Sequence, residues 1–136
     1  MESLGAPATP GYGGIAGGYV LLFSNGLSVY LTGDTGLFSD MEIIARFYRP
    51  RLVVINIGDV GTLGPTEAAF AIQNLVRPTT VLPSHVYEQS TSGGVVRANS
   101  RFERFASLIR GRSEIVVPLS GVTLTFDGDG GCVGCR

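Results

Sequence analysis

The spacing of hydrophobic and polar positions changes several times along the chain, and these changes predict alternating strands and helices. Two short apolar runs, 19–24 and 27–32, flank Asn25-Gly26, a dipeptide that accepts positive φ at both central positions of a tight turn. These runs therefore predict a β-hairpin. Residues 52–57 are apolar at almost every position, which is typical of a central strand covered on both faces.

Three segments have the period of an amphipathic helix. Ser39 and Glu42 stand at capping-box spacing before the first, and Ser100 and Glu103 before the third. Pro65, suited to a first helical position, opens the second, which we expect to run over 65–76. The apolar positions that define the first and third helical faces are Met41, Ile44, Ala45, Tyr48, Phe102, Phe105, Ala106 and Ile109.

The remaining apolar runs predict a short strand at 79–82 and two joined strands at 114–118 and 122–126. The resulting order, β-β-α-β-α-β-α-β-β, indicates an α/β domain in which helices cover one face of a mixed sheet. We expect the other face to remain apolar and uncovered. Residues 18–126 form this domain, between a flexible lead-in at 1–17 and a loose, glycine-rich tail at 127–136.

Composition narrows the classes of function. The 136 residues are 44% hydrophobic, and the net charge of −1 gives no reason to expect binding to nucleic acid or to an anionic membrane. The apolar runs are too short to cross a membrane, and the first residues lack the pattern of a signal peptide, so a cytoplasmic protein is expected. Cys132 and Cys135 have redox or zinc-knuckle spacing, but two thiolates supply only half of a structural zinc site.

Three polar residues follow predicted strands and are candidates for chemistry. Asp34 lies in the loop Gly33-Asp34-Thr35-Gly36 after the hairpin, Asp59 follows 52–57, and His85 follows 79–82. Functional groups in open α/β sheets gather at the carboxyl ends of the strands, so these side chains are expected at one edge. Carboxylates and an imidazole are suitable ligands for a divalent metal. A surface aspartate and a histidine that binds a loop remain the alternative interpretation.

Two longer segments carry a resemblance to a known family. GDTGLFSDMEIIARFYRPRLVVINIGD and GPTEAAFAIQNLVRPTTVLPSHVYEQ together resemble the C-terminal half of metallo-β-lactamase-fold metal-dependent hydrolases, nearest to the L-ascorbate-6-phosphate lactonase-like branch. The resemblance implies half of an αββα sandwich and a zinc or manganese site. It also implies that Asp34 bridges two metal ions and that His85 is a ligand of one of them, with Asp59 at the edge of the site.

The chain also departs from that family. It has no His-x-His-x-Asp-His motif and only one histidine, and Val60 stands where relatives can carry a further histidine. We therefore expect an incomplete metal site in this chain. One hypothesis is a hydrolase of a small-molecule ester, lactone or phosphoester, completed by a separate N-terminal half. The other is a non-catalytic association or regulatory module that forms a homodimer through its uncovered sheet face.

Overall fold

A computed structural model describes residues 14–86, 90–111 and 113–135 of the chain. In chain order its strands are β1 (Tyr19–Leu22), β2 (Ser28–Leu31), β3 (Leu52–Asn56), β4 (Thr80–Ser84), β5 (Thr91–Ser92), β6 (Val95–Val96), β7 (Glu114–Ile115), β8 (Thr125–Phe126) and β9 (Cys132–Val133). The main sheet has the order β1-β2-β3-β4-β7. Strand β1 is antiparallel to β2, and the other pairs are parallel, so the predicted hairpin and mixed sheet are confirmed. The turn differs from the prediction, because Gly26 has positive φ, at +91°, and Asn25 does not.

The helices lie on one face of this sheet, as the sequence predicts. They are α1 (Asp40–Tyr48), α2 (Pro65–Phe70), which continues as a π-helix over Ala71–Val76, and α3 (Arg101–Leu108). Tyr30, Val53 and Val81 point from neighbouring strands toward this layer and are buried. Met41 from α1 and Phe105 from α3 meet them with no exposed surface. This side of the sheet therefore holds the main hydrophobic core.

The two predicted capping boxes have different outcomes. At α3 the Glu103 backbone N–H donates to Ser100 Oγ at 3.1 Å, and the Asn99 N–H donates to the Glu103 carboxylate at 2.6 Å. At α1 the prediction is wrong, because Ser39 already has helical dihedrals, φ −63° and ψ −33°. Its carbonyl accepts the Glu42 N–H at 3.0 Å, and its hydroxyl bonds Asp40 instead of capping the helix.

The second face of the sheet is partly covered, contrary to the expectation from the sequence. Leu27, Val29 and Leu52 are buried there, and Phe126 of β8 packs against the same cluster. Strand β8 pairs with β9 to form a hairpin in the segment that was predicted to be loose, so that prediction is wrong for 127–135. The hairpin approaches the sheet so closely that a Cβ at Gly130 would lie 2.8 Å from Arg51 Cβ.

The two joined strands predicted at 114–118 and 122–126 are present but shorter, and they belong to different sheets. Strand β7 extends the main sheet instead, because the Glu114 N–H donates to Thr79 O at 2.9 Å and the Val116 N–H donates to Val81 O at 3.0 Å. A disulfide joins Cys132 to Cys135 near the end of the tail hairpin.

Parts of two predicted segments lie outside the described residues: positions 1–13 of the lead-in and position 136 of the tail. Positions 87–89, in the loop that follows His85, also lie outside them. In the described part of that loop, strands β5 and β6 form a short antiparallel hairpin. No helix among the described residues has both the length and the apolar character needed to cross a membrane.

Candidate metal centre

Asp34 and His85 are brought together at the carboxyl edge of the parallel strands. Asp34 follows β2 and His85 follows β4, and the two side chains reach toward each other beyond the end of β3. Asp34 Oδ1 lies 3.3 Å from His85 Nε2, and the side chains are 61% and 42% exposed, respectively. The predicted convergence of these residues is therefore observed, and solvent reaches both of them.

Asn56, the last residue of β3, fixes the orientation of the Asp34 carboxylate. Its side chain is completely buried, and its Nδ2 donates to Asp34 Oδ1 at 2.7 Å. Its Oδ1 accepts from the Gly58 N–H at 2.6 Å and from the Thr62 hydroxyl at 3.1 Å. Both ends of the amide are thus bonded, which determines its rotamer and assigns the Nδ2 group to Asp34.

The sequence reasoning missed Asn56, although a signal for it exists. It is the polar residue of a segment, 52–57, that is otherwise apolar, and a polar group in a covered strand needs hydrogen-bond partners. The backbone N–H of Asn56 meets this requirement as well, by donating to Thr32 Oγ1 at 3.3 Å. The sequence signal for this part of the site is therefore a single polar residue at the end of an apolar strand.

The backbone conformation at His85 and the lack of a side chain at Gly58 affect the position of the imidazole. His85 has φ +55°, in the left-handed region that few non-glycine residues adopt. A Cβ at Gly58 would lie 3.2 Å from His85 Cβ and 3.3 Å from His85 Nδ1. A larger residue at position 58 would therefore press on the ring, and the glycine allows the imidazole to approach Asp34.

Asp59, predicted as a possible edge of the site, points toward the start of α2. A Cβ at Gly64 would lie 2.8 Å from both Asp59 Oδ1 and Glu67 Oε2, so both carboxylates flank this helix N-terminus. The helix dipole favours negative charge at such a position. Among the described residues, no group of three or more His, Cys, Asp or Glu side chains could hold a metal ion.

The residues present fit a divalent cation in chemistry but not in number. Carboxylate oxygen and imidazole nitrogen are ordinary ligands of zinc and manganese. Two ligands of a tetrahedral zinc, each about 2.0–2.1 Å from the metal, are roughly 3.3 Å apart, which is the observed spacing of the pair. A catalytic zinc normally has about three protein ligands, however. The two side chains are therefore fewer than the ligands of such a site.

Comparison of sequences finds relatives among curated proteins. A UPF0173 metal-dependent hydrolase of Cupriavidus taiwanensis is 37% identical over 117 residues, which are 85% of this chain and 39% of that protein. A UPF0173 metal-dependent hydrolase of Chloroflexus aurantiacus is 50% identical over 72 residues, covering 53% of this chain and 29% of that protein. The chain thus spans about two-fifths or less of these relatives. No protein-family model matches it.

Comparison of structures gives related folds. Igni18, a metallo hydrolase from the archaeon Ignicoccus hospitalis, superposes with a TM-score of 0.58 at 32% identity, over 77% of this chain and 43% of that one. A proposed zinc-dependent hydrolase of the metallo-β-lactamase superfamily from Thermotoga maritima gives a TM-score of 0.53 at 18% identity, over 72% of this chain and 55% of that one. The second likeness concerns the fold alone.

Proposed function

Because the chain is a homologue of the UPF0173 metal-dependent hydrolases and has the fold of part of a metallo-β-lactamase-superfamily domain, we propose that it contributes to a metal-dependent hydrolase. In this proposal Asp34 and His85 bind a divalent cation, zinc or manganese. The observation that carries it is the 3.3 Å spacing of a carboxylate oxygen and an imidazole nitrogen at the carboxyl edge of the sheet.

The chain's own residues would hold the cation and set the direction of its ligands. Asn56 fixes one oxygen of Asp34, which leaves the other oxygen of that carboxylate for a second contact. The left-handed backbone at His85 turns the imidazole toward the same point. When bound, a cation in such a site polarises the bond to be cleaved and lowers the pKa of a coordinated water.

The substrate class that we propose is a small-molecule ester, lactone or phosphoester. The further ligands that a catalytic centre needs would come from a separate N-terminal half, since the chain contains a single histidine. We therefore expect hydrolysis of chromogenic esters or phosphoesters only when this second half is supplied together with zinc or manganese. The cytoplasmic location expected from the sequence remains a prediction.

The metal proposal is tested by calorimetric titration of the chain with zinc and with manganese. We expect the variants Asp34→Asn and His85→Ala to lose at least about tenfold in affinity, because each removes one of two ligands. Asp34→Asn preserves the shape of the side chain and an acceptor for Asn56. Asp129→Asn, at an exposed aspartate of the tail hairpin, is the matched control and should bind as the unaltered chain does.

Two results would contradict this proposal. One is a folded chain that binds neither metal at millimolar concentration. The other is equal loss of affinity in Asp34→Asn and Asp129→Asn, which would show that the metal binds to general negative charge and not to the Asp34–His85 pair.

A second candidate function is a non-catalytic association module, and the surface of the β1 strand favours it. Tyr19 and Leu22 are each 70% exposed, and Phe23 is 51% exposed, on a strand at the edge of the main sheet. Edge strands with exposed apolar side chains present unpaired backbone groups and invite association. This candidate requires neither a metal nor a substrate.

Sedimentation velocity distinguishes the two candidates. An association module should sediment as a homodimer at micromolar concentration, and Leu22→Glu on the edge strand should shift it toward monomer. The matched control is Val133→Glu, at an exposed position of the tail hairpin. A monomer at all concentrations that binds zinc through Asp34 would reject the association module and support the hydrolase.

A further inference from the structure

A cavity of about 280 Å³ lies between the β1–β2 hairpin and α1, on the helix-covered side of the sheet. Most of the described residues that line it are aromatic, namely Tyr19, Tyr30, Phe38 and Tyr48, and Ile44 of α1 lines it as well. None of the described residues that line it is charged. This cavity is separate from the Asp34–His85 pair, whose residues do not line it.

Tyr30 gives this cavity a polar group that the fold itself does not use. The residue is only 2% exposed, and within the described part of the chain its hydroxyl makes no hydrogen bond. The outer edge of its ring reaches the cavity, because Tyr30 Cε2 lies 3.2 Å from the Cβ position of Gly18, another wall residue. The hydroxyl oxygen keeps some contact with solvent, because Thr80 Oγ1, and not the Tyr30 hydroxyl, is the buried side-chain atom without a partner in the described part of the chain. A ligand carbonyl would therefore replace water at this hydroxyl.

The protonation state of Tyr30 determines whether its hydroxyl can donate a hydrogen bond. Burial raises the pKa of Tyr30 above its ordinary value of 10.0, because the phenolate would lose its hydration. At neutral pH the group is therefore protonated and is available as a hydrogen-bond donor. A ligand group that satisfies it must accept a hydrogen bond.

We propose that this cavity binds a small, neutral, planar ring compound whose carbonyl accepts a hydrogen bond from the Tyr30 hydroxyl. The aromatic walls favour a ring, which packs against them in edge or offset geometry. The absence of charged lining residues in the described chain favours a neutral compound. The volume, near the lower limit for ligand pockets, suits a molecule with one ring. This proposal is independent of the metal site.

The probes are benzamide, which has a ring and a carbonyl, and toluene, which has the ring alone. Each is titrated into the isotopically labelled full chain and followed by NMR. We expect benzamide to shift the amide signals of Gly18, Tyr30 and Ile44. We expect Tyr30→Phe to weaken benzamide binding about 3- to 10-fold, the effect of one hydrogen bond, and to leave toluene binding unchanged.

Two further variants separate the hydroxyl from the cavity. Tyr19→Phe removes a hydroxyl from an exposed residue of the same wall and should leave the affinity for both probes unchanged. Ile44→Trp fills the cavity from α1 while retaining Tyr30, and should abolish the binding of both probes. It also provides the test if Tyr30→Phe does not fold.

The weakest Kd expected for a fragment of this size is roughly 10 mM. The proposal is overturned if benzamide at about this concentration leaves the three amide signals unmoved in a folded protein. Shifts confined to other parts of the chain would overturn it as well. Equal weakening of benzamide and toluene in Tyr30→Phe would reject the hydroxyl as the binding group.

Discussion

At the scale of single residues, the candidate site depends on one buried amide as much as on its two exposed candidate ligands. Asp34 and His85 are both partly exposed, so neither is held in place by packing. Asn56 is fully buried and makes three side-chain hydrogen bonds, one of them to Asp34. A buried side chain in the interior of the sheet therefore holds the exposed carboxylate in position.

Replacement of this amide should affect stability and metal binding together. Asn56→Leu keeps the approximate volume but leaves the Gly58 N–H and the Thr62 hydroxyl without their acceptor. We expect a loss of about 2 kcal/mol in the free energy of unfolding, the cost of stranded buried polar groups. The measurement is urea unfolding, with zinc affinity determined on the folded variant.

A matched control for Asn56→Leu is Asn74→Leu, at an exposed asparagine whose side-chain amide donates to the Phe70 carbonyl. It should change the free energy of unfolding by no more than about 0.5 kcal/mol. If the two variants were equally stable and Asn56→Leu bound zinc normally, Asn56 would have no role in placing Asp34.

At the scale of elements, the helices show that an identical motif can have different outcomes. The serine–glutamate spacing is the same before α1 and α3, yet only Ser100 has the extended backbone, φ −78° and ψ 161°, that turns its hydroxyl toward the helix. Ser39 lies within a helical turn that starts one residue earlier than the motif implies. The local sequence allows both arrangements, so the spacing alone does not decide whether the serine caps the helix.

This difference predicts unequal effects of the same substitution. Ser100→Ala removes the acceptor for the Glu103 N–H and should lower the free energy of unfolding by about 1 kcal/mol. Ser39→Ala removes no cap and should change it by less than about 0.5 kcal/mol, since alanine is well tolerated in a helical turn. Thermal unfolding of the two variants in parallel checks the prediction, and equal losses would contradict the observed geometry of α1.

At the scale of the whole molecule, the tail hairpin covers part of the second face of the main sheet. Phe126 packs against the cluster formed by Leu27, Val29 and Leu52, so the main sheet has a large core on one side and a smaller one on the other. The apolar character of 52–57 is explained by this arrangement, because both of its faces meet other side chains.

The close approach of the hairpin gives a test with an internal control. Gly130 and Gly134 both have positive φ, at +84° and +79°, so alanine is strained to a similar degree at each. Only at Gly130 would the added Cβ collide with Arg51, whose carbonyl oxygen lies 2.9 Å from it. We expect Gly130→Ala to lower the free energy of unfolding by about 1 kcal/mol or more beyond Gly134→Ala. Equal losses in thermal unfolding would indicate a hairpin detached from the sheet.

The sequence by itself determined the features whose causes are local. The β1–β2 hairpin, the apolar strand at 52–57 and most of the buried faces of α1 and α3 follow from backbone preferences and from periodicity, which act within a few residues. Tyr48 is an exception, because it ends the predicted face of α1 and is 43% exposed. The placement of Asp34 and His85 at one edge also followed, since parallel strands end on the same side of a sheet.

Tertiary structure alone decided the features that depend on groups far apart in the chain. The amide of Asn56 bonds Asp34, 22 residues away, and β7 pairs with β4 although more than 25 residues separate Ser84 from Glu114. The tail, rich in glycine and locally indistinguishable from a loose end, is ordered because it packs on a sheet face formed by residues about a hundred positions earlier. The hydrophobic effect is non-directional. An apolar pattern therefore predicts that a residue is buried, but only the tertiary structure shows which residues cover it.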